Sequence, residues 1–147
     1  MSKSPATDAR PPFPGTTFDV VAFGASAGGI EAMMRILPDL PPDFPAAIVL
    51  VQHLRPHARG HLPQVLGCRT SLPVHWAMDG EVLRPGAVFI APPDHHLLVN
   101  PDGRLSLAKT PRAHSLRPSA DVLFTSVASS FKGRAIAVVL SGGGKNG

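Results

Sequence analysis

The stretch Phe18-Asp-Val-Val-Ala-Phe-Gly-Ala-Ser-Ala-Gly-Gly-Ile30 constrains this chain most, because it passes from a strand pattern to a helix pattern through one tight turn. Val20 to Phe23 form an unbroken apolar run of the kind that is buried on both faces of a parallel sheet. Gly24, Gly28 and Gly29 supply the backbone freedom of a sharp turn. Ile30, Met33, Met34 and Leu37 then recur at i, i+3, i+4 and i+7, which marks one apolar helix face. A second apolar run, Ala46-Ala-Ile-Val-Leu-Val51, follows the rigid connector Pro38 to Pro45 and ends at Gln52-His53. Two such strands around a helix make a βαβ unit with a right-handed crossover.

The rest of the chain extends this pattern. Pro56 to Leu66 reads as a short helix, and Val74 to Pro92 contains the apolar run Ala87 to Ala91. His96 to Asn100 and Arg104 to Ala108 alternate around Pro101-Asp-Gly103, the turn chemistry of a hairpin. Lys109 to Pro118 reads as an exposed loop. Ser119 to Phe131 reads as a helix, with Ser119 as its cap, Asp121 in the first turn, and Leu123, Val127 and Phe131 on one face. Ala135 to Leu140 is another buried strand, followed by Ser141-Gly-Gly-Gly-Lys-Asn-Gly147. The expected fold is a doubly wound, mostly parallel α/β sheet flanked by helices, with an antiparallel hairpin appended. Residues 1–17, polar and proline-rich, are expected to be a disordered tail, and 18–147 one domain. The sequence stops in a glycine-rich loop that ought to open another helix. The domain is therefore expected to be incomplete at its carboxyl end and to leave one edge or face of the sheet bare.

Composition removes several function classes. A chain of 147 residues that is 44% hydrophobic can bury the core of one globular domain. No apolar run reaches the ~20 residues of a membrane span, and the amino terminus lacks the apolar core of a secretory signal. The single cysteine, Cys68, excludes an intramolecular disulfide, suits the cytoplasm, and reads as a small buried hydrophobe. The net charge is +4, but the basic residues are scattered and few aromatics accompany them, which argues against nucleic acid.

Ser26 carries the chemistry. It stands at the carboxyl end of one strand and the amino end of a helix, where backbone N–H groups and the positive end of a helix dipole converge. A serine there is either a nucleophile or a phosphate contact. A nicotinamide-binding unit usually ends its second strand in Asp or Glu; this one ends in Gln52-His53, which favours the nucleophile. His53 would close a neighbouring strand ~5 Å away, within reach of the Ser26 hydroxyl as a general base. Its plainer reading is a histidine that closes a strand and hydrogen-bonds a carbonyl. The Ala27 amide and the glycine loop 142–147 offer N–H donors for an oxyanion. His53, His57 and His61 are spaced by four, as metal ligands on a helix would be, but Pro56 interrupts that helix and no carboxylate completes the set. No metal or organic cofactor is expected. His95 and His96 read as surface residues, and Trp76 as packing.

Four blocks then occur in order: Gly24-Ala-Ser-Ala-Gly-Gly29, Val51-Gln-His-Leu54, Arg117-Pro-Ser119 with Asp121-Val-Leu-Phe124, and Leu140-Ser-Gly-Gly-Gly-Lys-Asn-Gly147. From about Phe18 onward the chain resembles the catalytic domain of the chemotaxis protein-glutamate methylesterases, the CheB type. The resemblance implies hydrolysis of γ-glutamyl methyl esters, and deamidation of glutamines, on the cytoplasmic helices of methylated chemoreceptors. It implies Ser26 as nucleophile, His53 as its base, and the Ala27 and Gly143 amides as oxyanion donors. The family's last block reads Thr/Ser-Gly-Met-Gly-x-Asp-Gly, and its aspartate orients the histidine; here that position is Asn146, and the methionine position is Gly143. Arg117, in a shared block, is either a substrate contact or a loop anchor. The family usually carries an amino-terminal receiver domain, and from the short segment ahead of Phe18 none is expected in this chain. Two rival readings stand beside the esterase: an impaired relative that binds a signalling partner without turnover, and a nucleotide-binding module.

Overall fold

The computed structural model describes residue 13 and residues 15–53, 60–109 and 117–140. The chain runs β1 (Val20–Ala25), α1 (Gly29–Ile36), β2 (Ala47–Gln52), α2 (Leu62–Gly67), β3 (Val74–Trp76), β4 (Val88–Ile90), β5 (His96–Val99), β6 (Leu105–Ala108), α3 (Ala120–Phe131) and β7 (Ala135–Val139). Five strands form one sheet in the order β3-β4-β2-β1-β7, and every pairing in it is parallel. β5 and β6 pair antiparallel as a separate two-stranded sheet. This is the α/β architecture that the alternation of apolar runs and helical faces predicts.

Side chains of a strand alternate between faces, so an apolar run fills two cores at once. Val20 and Ala22 of β1, Val49 and Val51 of β2 and Phe89 of β4 share one core with Leu123, Val127 and Phe131 of α3 and with Leu97, Val99 and Leu105 of the hairpin. Phe23, Ile48, Leu50, Val88 and Ile90 point the other way, onto Met33, Leu37, Leu62 and Leu66 from α1, the turn after it and α2. Both faces of the sheet are therefore covered, and continuous apolar strands follow from that. The hairpin is fastened to α3: the Val99 N–H donates to Ser126 Oγ (2.9 Å), and the Ser130 hydroxyl donates to the Val99 carbonyl (2.8 Å). Ser119 caps α3 as expected, accepting from the Val122 N–H.

Several expectations change. Phe13 is 6% exposed and packs into the α3 core, and its N–H donates to Asp19 Oδ1 (3.0 Å). The packed chain therefore reaches back into the segment expected to be a loose tail. Of the helix expected over Pro56 to Leu66, Pro56 lies outside the described residues and α2 begins at Leu62: His61 is non-helical, and Pro63 sits in the first turn, where its missing N–H is harmless. Cys68 lies at the end of α2 and is exposed, not buried. His96 is buried in β5 rather than on the surface. Trp76 is half-buried against the α1 core, as a packing residue. β7 pairs only with β1 among the described residues, and Ile136 and Val139 are 37% and 50% exposed.

Candidate active site

The chain enters the sheet at β1, moves to β2 and beyond on one side, and returns to β7 on the other. The carboxyl end of β1 is thus where the winding direction reverses, the place where open α/β sheets hold their ligands. Ser26 is the first residue past that end. β1 and β2 pair in register up to Ala25 opposite Gln52, and the His53 N–H donates to the Ala25 carbonyl (2.9 Å), carrying the ladder one step further. Ser26 and His53 therefore leave the sheet side by side, on strands ~4.8 Å apart. On the other side the Leu140 N–H donates to the Gly24 carbonyl (2.9 Å), so the chain after β7 departs from the same end. Gly143 and Asn146 lie outside the described residues, as does His57.

The turn around Ser26 is held by its own backbone. Gly28 has φ 83, a conformation that glycine adopts without strain, and it caps α1 without a side chain. The Ser26 carbonyl accepts from the Gly29 N–H (2.8 Å). Ala27 is exposed, and Ser26 is half-buried. Gly24, expected in the turn, belongs to β1 instead. A Cβ there would lie 2.8 Å from Ala120 Cβ and 3.0 Å from Phe124 Cζ, so its role is to let α3 press against the strand. Gly29 has a similar task at the start of α1, where a Cβ would lie 2.3 Å from Ala25 Cβ and 2.6 Å from Gln52 Oε1.

Gln52 is a site residue that the sequence patterns left in the background. It ends an otherwise apolar strand, is 4% exposed, and its Nε2 donates to the Ser26 carbonyl (2.9 Å) and the His53 carbonyl (3.4 Å). A polar residue closing an all-apolar run is the signal that could have found it. Two buried polar atoms at this end have no hydrogen-bond partner among the described residues: Gln52 Oε1 and His53 Nε2. An imidazole nitrogen with no partner among the described residues, beside a serine-bearing turn, can take a proton from a hydroxyl and return it to a departing alkoxide.

Arg117 is engaged. Its Nε and Nη2 donate to Asp94 Oδ1 at 3.0 and 2.8 Å, and Lys109 Nζ lies 3.4 Å from Asp94 Oδ2. Asp94 lies in the loop that leaves β4 at the same end of the sheet, and the Arg117 guanidinium, helped by Lys109, holds its carboxyl below the usual range. Burial pushes the His96 imidazole below its ordinary pKa, and the Arg117 charge adds to this. The His95 Nδ1–H donates to the Pro93 carbonyl (2.9 Å). No cluster of three or more metal-ligating side chains occurs among the described residues. A groove of about 350 Å³ between β5 and α3, lined by Leu98, Val122 and Thr125 among others, shares no residue with this site.

The model of the CheB methylesterase family matches residues 21–147. The chain is 42% identical over 150 residues to protein-glutamate methylesterase/protein-glutamine glutaminase 3 of Burkholderia orbicola, covering 100% of this chain and 44% of that protein. It is 41% identical over 142 residues to protein-glutamate methylesterase FrzG of Myxococcus xanthus, covering 97% of this chain and 42% of the relative. The chain thus spans less than half the length of these curated relatives. The crystal structure of the Thermotoga maritima CheB methylesterase catalytic domain superposes with a TM-score of 0.81 at 38% identity, over 90% of this chain and 71% of that one. The parallel sheet with its serine turn at the winding reversal is therefore that of a known group, and the chain belongs to the CheB methylesterase family.

Proposed function

We propose that the protein is a serine esterase that removes methyl groups from γ-glutamyl methyl esters on chemoreceptors, with deamidation of receptor glutamines as a related activity. The observation that carries this reading is the placement of Ser26 and His53 side by side at the winding reversal of the sheet, in a chain of this family. In this mechanism Ser26 Oγ attacks the ester carbonyl carbon while His53 takes the hydroxyl proton. The Ala27 and Gly143 amides hold the oxyanion. Collapse of the tetrahedral adduct breaks the bond to the methoxy oxygen, which leaves as methanol with the proton from His53. Water, deprotonated by His53, then attacks the acyl-serine and releases the free glutamate and the Ser26 hydroxyl.

Asn146 stands where the family places its aspartate. An amide can orient the imidazole but cannot balance its positive charge, and in serine proteases this exchange costs about 10⁴ in turnover. Asn146 favours a second reading, a relative that binds its receptor and turns it over poorly. Arg117, already braced by Asp94, would then meet substrate as a fixed cation.

Methanol release from a methylated receptor peptide separates these readings. Slow release that Ser26→Ala abolishes, with the fold intact, is the expected result. Peptide binding without any release would establish the binding module. Release that persists in Ser26→Ala would remove Ser26 from the mechanism. Protection of the fold by nucleotides, with no effect of the peptide, would favour the nucleotide-binding alternative.

A further inference from the structure

Among the six residues of β2, five are apolar and all six are buried. The exception, Gln52, sits where the strand reaches the site. A residue present there for packing alone would be apolar, because a buried carboxamide loses its water and must be satisfied inside the protein. Among the described residues Gln52 is satisfied on one side only: its Nε2 bridges two backbone carbonyls, those of Ser26 (2.9 Å) and His53 (3.4 Å), whereas its Oε1 is buried and meets no partner among them. Both bridged groups are carbonyl acceptors, which fixes the nitrogen toward them and leaves the oxygen over Gly29. Gly29 is matched to it: a Cβ at that position would stand 2.6 Å from Oε1 and evict the amide.

We propose that Gln52 is the positioning residue of the site, its carboxamide clamping the Ser26 turn to the end of β2 so that nucleophile and base keep a fixed separation. This rests on the esterase reading for its catalytic consequence, but the clamp itself is a property of the fold. The Ser26 carbonyl already accepts from the Gly29 N–H (2.8 Å), so the second donor from Gln52 binds the turn across the strand gap rather than within itself. The unpaired oxygen is then tolerated because the donor side of the amide is needed at this place.

The test uses Gln52→Met, close in volume and apolar, and Gln52→Glu, whose carboxyl donates to the carbonyls when protonated and repels them when ionised. Turnover per folded molecule is measured with the methylated peptide, and amide hydrogen exchange is followed at Gly29 and His53 relative to core residues such as Met33. In Gln52→Met, kcat falls at least about tenfold with KM little changed. Exchange at Gly29 quickens while the core amides do not. Gln52→Glu recovers kcat at low pH and loses it as pH rises, an alkaline loss absent from the parent and from Gln52→Met. Unchanged exchange at Gly29 in Gln52→Met overturns the clamp, whatever the turnover. Faster exchange at Gly29 with unchanged kcat overturns the positioning role. Should Ser26→Ala retain turnover, the esterase reading falls, and the exchange experiment still decides the clamp.

Discussion

At the amino end of β1, the Asp19 carboxylate is buried and fully engaged. Arg134 Nε and Nη2 donate to it at 2.8 and 3.1 Å, the Phe13 N–H adds a third donor at 3.0 Å, and Arg134 Nη2 also donates to the Thr16 carbonyl (2.8 Å). The Asp19 N–H donates to the Arg134 carbonyl (2.8 Å), so side chain and backbone together fix β1 against the start of β7. The Asp19 hydrogen bond raises the Arg134 pKa. At the carboxyl end of β1, where β2 ends beside it, Gln52 Oε1 and His53 Nε2 are buried with no hydrogen-bond partner among the described residues. A buried polar group left unpaired costs about 1–3 kcal/mol. One end of the strand is closed and satisfied, and the other keeps unmet hydrogen-bonding capacity among the described residues. On the proposed esterase reading, stability and chemistry are divided between the two ends of one six-residue strand.

That division can be broken by disturbing the satisfied end. Asp19→Ala removes the carboxylate from Arg134 and the Phe13 N–H, frees the segment before β1 and loosens β7. Calorimetry should show a fall of several degrees in Tm, while turnover per folded molecule stays at the parent value. A parallel loss of turnover would mean that the two ends are coupled. A smaller effect sharpens the picture at His96, buried beside the Arg117 charge. Its folded pKa lies below the ordinary imidazole value of about 6.5, so below about 6.5 the unfolded chain binds the additional proton. Stability from this group is full above that pH and falls as pH drops toward the folded value. His96→Gln should flatten this part of the Tm–pH curve, and an unchanged slope would place the titration on another group.

The sequence displays the strands and α3 clearly because both faces of the sheet are buried, which forces continuous apolar runs and a capped apolar helix face. It displays the site in part for a related reason: a serine between an apolar strand and a glycine turn leaves few geometries open. What stayed hidden depends on distant neighbours. Phe13 looks like part of a proline-rich tail until Asp19 and the α3 core give it partners. His96 looks polar, yet the hairpin carries it inward, and Cys68 looks apolar, yet a helix end carries it out. Gly24 reads as turn chemistry because periodicity cannot show that Ala120 and Phe124 approach from another element. Gln52 is plain in the sequence, but its meaning lies in two carbonyls that come together only when β1 and β2 pair.

We propose that Ser26 and His53, at the carboxyl ends of β1 and β2, work as a nucleophile–base pair. Peptide mapping by mass spectrometry after reaction with a fluorophosphonate tests it most directly. One adduct is expected, on Ser26, that forms at least about a thousandfold more slowly in His53→Gln while the fold is kept. An adduct on another residue, or labelling of Ser26 at the parent rate in His53→Gln, would contradict it.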